Sequence, residues 1–182
     1  MANEVRTSVG NALADQGIDY VHWECHKGKL NHYDHVFYTV ANNGSANVLV
    51  ATGTNKECHV VFDWEANGRV QFQMMEDALP GAGSSGTAST HVNKNRSFTT
   101  SAGTVWTYAC DMTNGTEGTV VFSGLITGST GGGAGPAASD PSGGDRSHSE
   151  WILKPNTQYL FSACNTSQTV VDIYFSAEFY EE

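Results

Sequence analysis

The stretch TVVDIYFSAEFYEE at residues 169–182 constrains the fold most. Val171, Ile173, Phe175, Ala177 and Phe179 fall on one side of an extended chain, and Asp172, Tyr174, Ser176, Glu178 and Tyr180 on the other. That period of two marks a half-buried strand. Before it, Pro155 ends a short strand by removing a ladder donor. Asn165, Thr166, Ser167 and Gln168 then supply turn chemistry between two longer strands. The expectation is a closing β-hairpin with one apolar face, and such a hairpin needs a second sheet to cover it.

The pattern recurs along the chain. Strands are predicted at 18–26 (IDYVHWECH), 32–41, 47–53, 57–65, 69–76, 105–111, 119–127 and 150–154, with an irregular edge segment at 91–100. Asn67-Gly68, between two of them, is the strongest hairpin signal, because a type I′ turn needs positive φ at both central residues. Residues 77–90 and the glycine-rich 128–149 read as long surface loops. Twenty glycines and abundant Thr, Val, Phe and Tyr leave little room for helix, which excludes a parallel α/β fold. The fold class is therefore all-β, an antiparallel β-sandwich of jelly-roll type. One domain is expected over 19–182, preceded by an N-terminal arm over 1–18 that holds a single turn near 9–14.

Nineteen acidic against nine basic residues give a formal charge of −10. This opposes binding to nucleic acid or an anionic membrane and suits a basic protein surface. No run approaches the roughly 18 apolar residues of a membrane span, and the first residues lack the apolar core of a secretory signal, so a product made in the cytoplasm is expected. Cys25, Cys58, Cys110 and Cys164 form no CxxC pair and are expected as reduced, packed thiols.

The densest polar cluster is His22-Trp23-Glu24-Cys25-His26, followed by His32 and His35. On a strand His22, Glu24 and His26 share one side, where two imidazoles and a carboxylate would resemble a cupin metal site. No spacing fixes further ligands, and alternating polar residues are also what a solvated strand face requires. The expectation adopted is no metal, no cofactor and no enzyme, with these three residues as the candidates otherwise. No nucleophile elbow, Walker loop or dinucleotide fingerprint occurs. Glu65, Glu76, Asp111 and Glu150 contain a conceivable glycosidase pair. Trp64, Trp106, Trp151 and Tyr174 form either a carbohydrate platform or core. The one locally basic run is 91–96, which with Arg146 is either a contact for an acidic partner or a solvated set of cations.

Several segments, taken in order, resemble a family of small structural proteins of tailed bacteriophages: HWECHKG at 22–28, ANVLVATGTNKECHVVFDWEA at 46–66, NKNRSFTT at 93–100, GGDRSHSEWILKPNTQYLFSACN at 143–165, and the final EFYEE. The run E-x-I-L-K-x-N-T-x-Y-L is the most specific part. The resemblance implies a virion protein with a sandwich fold and no catalytic residues. It implies a capsid decoration, or cement, protein, trimeric, bound to the major capsid protein on the head surface. A tail or fibre adhesion module displaying the 77–90 and 128–149 loops is the alternative, and a cupin-like metalloenzyme the second.

Overall fold

The computed structural model describes residues 7–9, 12–14, 20–80, 86–98, 103–108, 115–127 and 150–182. The expectations for loop 128–149, Cys110, Asp111, Arg146 and most of the arm concern residues outside these.

Thirteen strands and one short helix are described, and two antiparallel sheets face each other. The five-stranded sheet runs β11 (Trp151–Leu153), β5 (Cys58–Ala66), β13 (Val171–Glu181), β3 (Asn31–Val40) and β8 (Val92–Asn93). The six-stranded sheet runs β10 (Thr119–Thr127), β6 (Arg69–Glu76), β12 (Gln158–Asn165), β4 (Ser45–Ala51), β9 (Val105–Tyr108) and β7 (Thr87–Ser89). Without the short β7, β8 and β9, the orders are β3-β13-β5-β11 and β4-β12-β6-β10. Successive strands from β3 to β6 therefore alternate between sheets, as do β12 and β13, and the topology is a jelly roll.

That alternation corrects two expectations. β12 and β13 are not a hairpin, since β12 pairs with β4 and β6 while β13 pairs with β3 and β5. Nor does Asn67-Gly68 make a type I′ turn, because neither residue has positive φ and the strands it joins lie in different sheets. Asn67 instead pairs with the start of β13. Its Oδ1 accepts from Asp172 N at 2.9 Å, and its N donates to Asp172 O at 3.3 Å. Gly68 is needed for close approach, since a Cβ there would lie 2.3 Å from Val171 Cγ1.

Three further segments differ. Residues 20–26 form a helix, α1 (Tyr20–His26), rather than a strand. Thr87–Ser89, inside the expected 77–90 loop, is the short β7 at the sheet edge. In the arm, β1 (Thr7–Val9) and β2 (Ala12–Ala14) pair with each other where a helical turn was expected.

Between the sheets the inward residues of both make one core centred on aromatic rings. Trp64 and Trp106 belong to it, which gives these two the core role rather than a carbohydrate platform. Tyr33 stacks on Trp106 at 4.8 Å, and Trp151 packs beside Phe122 at 5.4 Å. Tyr174 points to the outer face.

Candidate functional site

The His22 to His26 cluster sits on α1. A helix advances about 100° per residue, so position 24 lies opposite positions 22 and 26. Glu24 is fully buried while His26 is exposed, so these two do not converge on a common ion; the His22 side chain lies outside what is described. Glu24 is paired instead with Lys27 Nζ at 3.3 Å and Lys29 Nζ at 3.1 Å. His32 faces outward near Asp34, whereas His35 points inward and stacks on Tyr108 at 3.8 Å, where burial lowers its pKa. Among the described residues no three His, Cys, Asp or Glu side chains come together as metal ligands.

The helix follows from its C-terminus. Gly28 N donates to Cys25 O at 2.9 Å and Lys29 N to Glu24 O at 2.9 Å, a Schellman motif with Gly28 at φ +70°. Phe98 lies over Gly28, and Asn93 Nδ2 donates to Gly28 O, clamping the 93–98 segment onto the helix end. A Cβ at residue 28 would lie 2.2 Å from the Phe98 ring. Gly28→Ala should destabilise the fold by about 1–2 kcal/mol, part of which is recovered in a Phe98→Ala background. Urea unfolding of the four-member cycle measures this, and additivity would exclude the clash.

The remaining acidic candidates are engaged separately. Glu76 accepts from Lys154 Nζ at 2.5 Å and from Tyr159 Oη at 2.9 Å. The Lys154 bond holds the Glu76 carboxyl below its ordinary pKa, and burial pushes the Tyr159 phenol up to about 12. Glu65 lies at the other end of the sandwich, since β5 ends where β6 begins. Glu65 and Glu76 therefore do not form a glycosidase pair. Glu150 lies 3.7 Å from His59.

A cluster without any local motif lies at the end of β13. Glu181 accepts from Gly103 N at 2.8 Å and from Thr104 N and Oγ1, both at 2.6 Å. Cys58 is buried beside it, with its thiol pushed by burial up to about 12, and His91 packs edge-on to Phe179 at 5.1 Å. A Cys, His and Glu set suggests a nucleophile, but a thiol with that pKa is protonated at neutral pH and inert. The cluster fastens the start of β9 to β13.

The largest contrast lies between the two outer faces. On the five-stranded sheet Asp34, Asp63, Glu65, Asp172 and Glu178 point outward, and the Tyr174 phenol among them is raised first by burial and then by Asp34. In the other sheet β4, β7, β9, β10 and β12 contain no charged residue, and β6 carries charge only at its ends, Arg69 and Glu76. Its outer face presents Gln71, Gln73, Asn47, Ser162, Ser123 and Leu125, while Leu49, Met75 and Leu160 on the same side are buried together with Ala78. Sequence reading gave the net charge but not this partition, which requires knowing which strands share a sheet.

Of the thiols, Cys25, Cys58 and Cys164 are free. No described helix is long and apolar enough to cross a membrane. No family profile, curated protein or solved structure matches the chain.

Proposed function

We propose that this chain is a bacteriophage virion protein that decorates the outer head shell, binding the major capsid protein as a trimer. The observation that carries the reading is what the most family-like segment does. Thr52 Oγ1 donates to Lys154 O at 2.7 Å and accepts from Thr157 N at 3.0 Å, while Asn156, at φ +51°, donates its N to Gly53 O at 2.8 Å. With the Lys154–Glu76–Tyr159 bonds, the polar residues of K-x-N-T-x-Y therefore hold the jelly roll shut. Such a segment braces a rigid scaffold, which fits a protein whose working parts are surfaces.

The acidic outer face around Asp34, Asp63 and Glu65 supports docking onto a basic shell surface. A protein that binds only the assembled shell stabilises it by mass action, about 2.7 kcal/mol per site at a hundred-fold excess over Kd. Purified protein mixed with undecorated capsids should co-sediment to saturation, and Asp34→Lys with Asp63→Lys should weaken this while leaving circular dichroism unchanged. Absence of co-sedimentation would remove the reading, and immunolabelling confined to the tail would transfer it to adhesion.

A further inference from the structure

We infer that the β7–β9 edge of the sandwich is an acid-sensitive latch, closed while His35 and His91 are neutral and opened when they take up protons. The latch does not depend on the decoration reading.

The four-residue β9 and the three-residue β7 are the outermost strands on one side of the six-stranded sheet. Short edge elements of this kind open at a lower free energy than the strands inside them. What holds this edge against the facing sheet is a set of ring contacts. Tyr33 stacks on Trp106 of β9, and Trp106 also packs against Phe179 at 5.2 Å. His35, on β3, stacks on Tyr108 at the end of β9 and meets Phe37 edge-on at 4.6 Å. His91, in the segment joining β7 to β8, meets Phe179 edge-on, and its Nε2 is buried with no hydrogen-bond partner. One imidazole therefore grips the edge from the five-stranded sheet, and the other reaches from the edge onto that sheet.

Rings and a buried, unpartnered nitrogen suit a neutral imidazole and oppose a charged one. Among the described residues few groups could offset the charge. Near His35 these are Asp34 on its own strand and the Tyr108 phenol across the seam, whereas its neighbour Phe175 on β13 and Tyr108's neighbour Val48 on β4 cannot ionise. Near His91 they are Glu181 on β13 and the protonated Cys58 thiol on β5, and Glu181 is already committed to Gly103 N, Thr104 N and Thr104 Oγ1. Burial outweighs the carboxylate at both histidines and lowers the pKa of each. The open edge then binds protons more tightly than the closed one. Closure is complete above the ordinary histidine value of about 6.5 and weakens as pH falls below it.

Hydrogen exchange of the full chain, read by mass spectrometry at about pH 7.5 and about pH 5.5 and corrected for the intrinsic rate, measures the opening. Peptides covering 87–93 and 105–108 should lose protection at the lower pH by roughly three- to tenfold for each histidine, while peptides from β5 and β12 keep theirs. His35→Phe with His91→Phe retains the ring contacts and removes both proton sites, so the edge should be equally protected at the two pH values. His35→Gln with His91→Gln removes the proton sites without a ring; it should lower protection at both pH values alike, and it serves as the control if the Phe pair misfolds. Three results for the wild type would each overturn the latch: equal edge protection at both pH values, an edge already unprotected at the higher one, or an equal loss throughout β5 and β12. Persistence of the pH dependence in either double variant would overturn it as well.

Discussion

Phe175→Ala should lower stability by about 4 kcal/mol and the melting temperature by roughly 8–16 °C. The ring sits where the two sheets meet. Its centroid lies 4.6 Å from Trp64, 5.4 Å from Phe161, 6.0 Å from both Tyr33 and Trp106, and 6.4 Å from Phe62. These neighbours come from strands β3, β5, β9 and β12, so the surrounding rings are held from both sheets and cannot close on the space left behind. The cost is then the lost transfer energy together with the cavity, which places it in the upper part of the large-to-small range. Ser176→Ala, one residue on and on the opposite face, should change stability by no more than about 0.5 kcal/mol. Urea unfolding with an unchanged m-value measures both. A Phe175→Ala loss below about 1 kcal/mol would mean that the sheets repack, and the ring would not be the centre of the core.

The contrast between those neighbouring positions was legible in the sequence, because period-two alternation reports which side of a strand is buried. What alternation does not report is the strand on either side. Asn67-Gly68 and the 165–168 turn both carry strong local turn chemistry, and each predicts a hairpin. In a jelly roll the residues at such a corner must pass the chain from one sheet to the other. The same side chains then serve another purpose: Asn67 bonds to Asp172, and Gly68 makes room for Val171. At α1 a short polar and apolar mixture satisfies a strand pattern, while the decisive signal is Gly28, which serves as the helix C-cap. The Glu181, Thr104 and Cys58 cluster has no local spacing at all, since its members come from β13, the segment before β9, and β5. The uncharged face escaped for the same reason: each strand's lack of charge is plain in the sequence, and their assembly into one sheet is not.

Asn165→Ala should cost about 3 kcal/mol, from lost hydrogen bonds rather than from a cavity. Asn165 is fully buried at the corner between β12 and β13. Its Nδ2 donates to Val40 O and to Thr169 O, both at 2.8 Å, and its Oδ1 accepts from Ser167 N at 2.8 Å and Ser167 Oγ at 2.6 Å. Its backbone bonds the β3–β4 turn as well, accepting from Asn43 N and donating to Gly44 O, each at 2.9 Å. Two donors and two acceptor sites exhaust what an amide side chain offers, so truncation strands partners on both sides. Asn165→Asp is the sharper variant, since it keeps the shape and the acceptor but turns an oxygen toward two carbonyls. The ionised form is disfavoured in the fold, so the folded pKa of that carboxyl lies above its unfolded value of about 3.9. The penalty is then full above the folded pKa and fades as pH falls toward the unfolded value, where the protonated acid donates to one carbonyl again. Unfolding measured at about pH 7 and about pH 4 should show Asn165→Asp recovering stability relative to wild type at the lower pH, while Asn165→Ala keeps a constant deficit. Wild-type stability for Asn165→Asp at neutral pH would show that the two carbonyls do not depend on the amide, and that the corner is held by its backbone bonds alone.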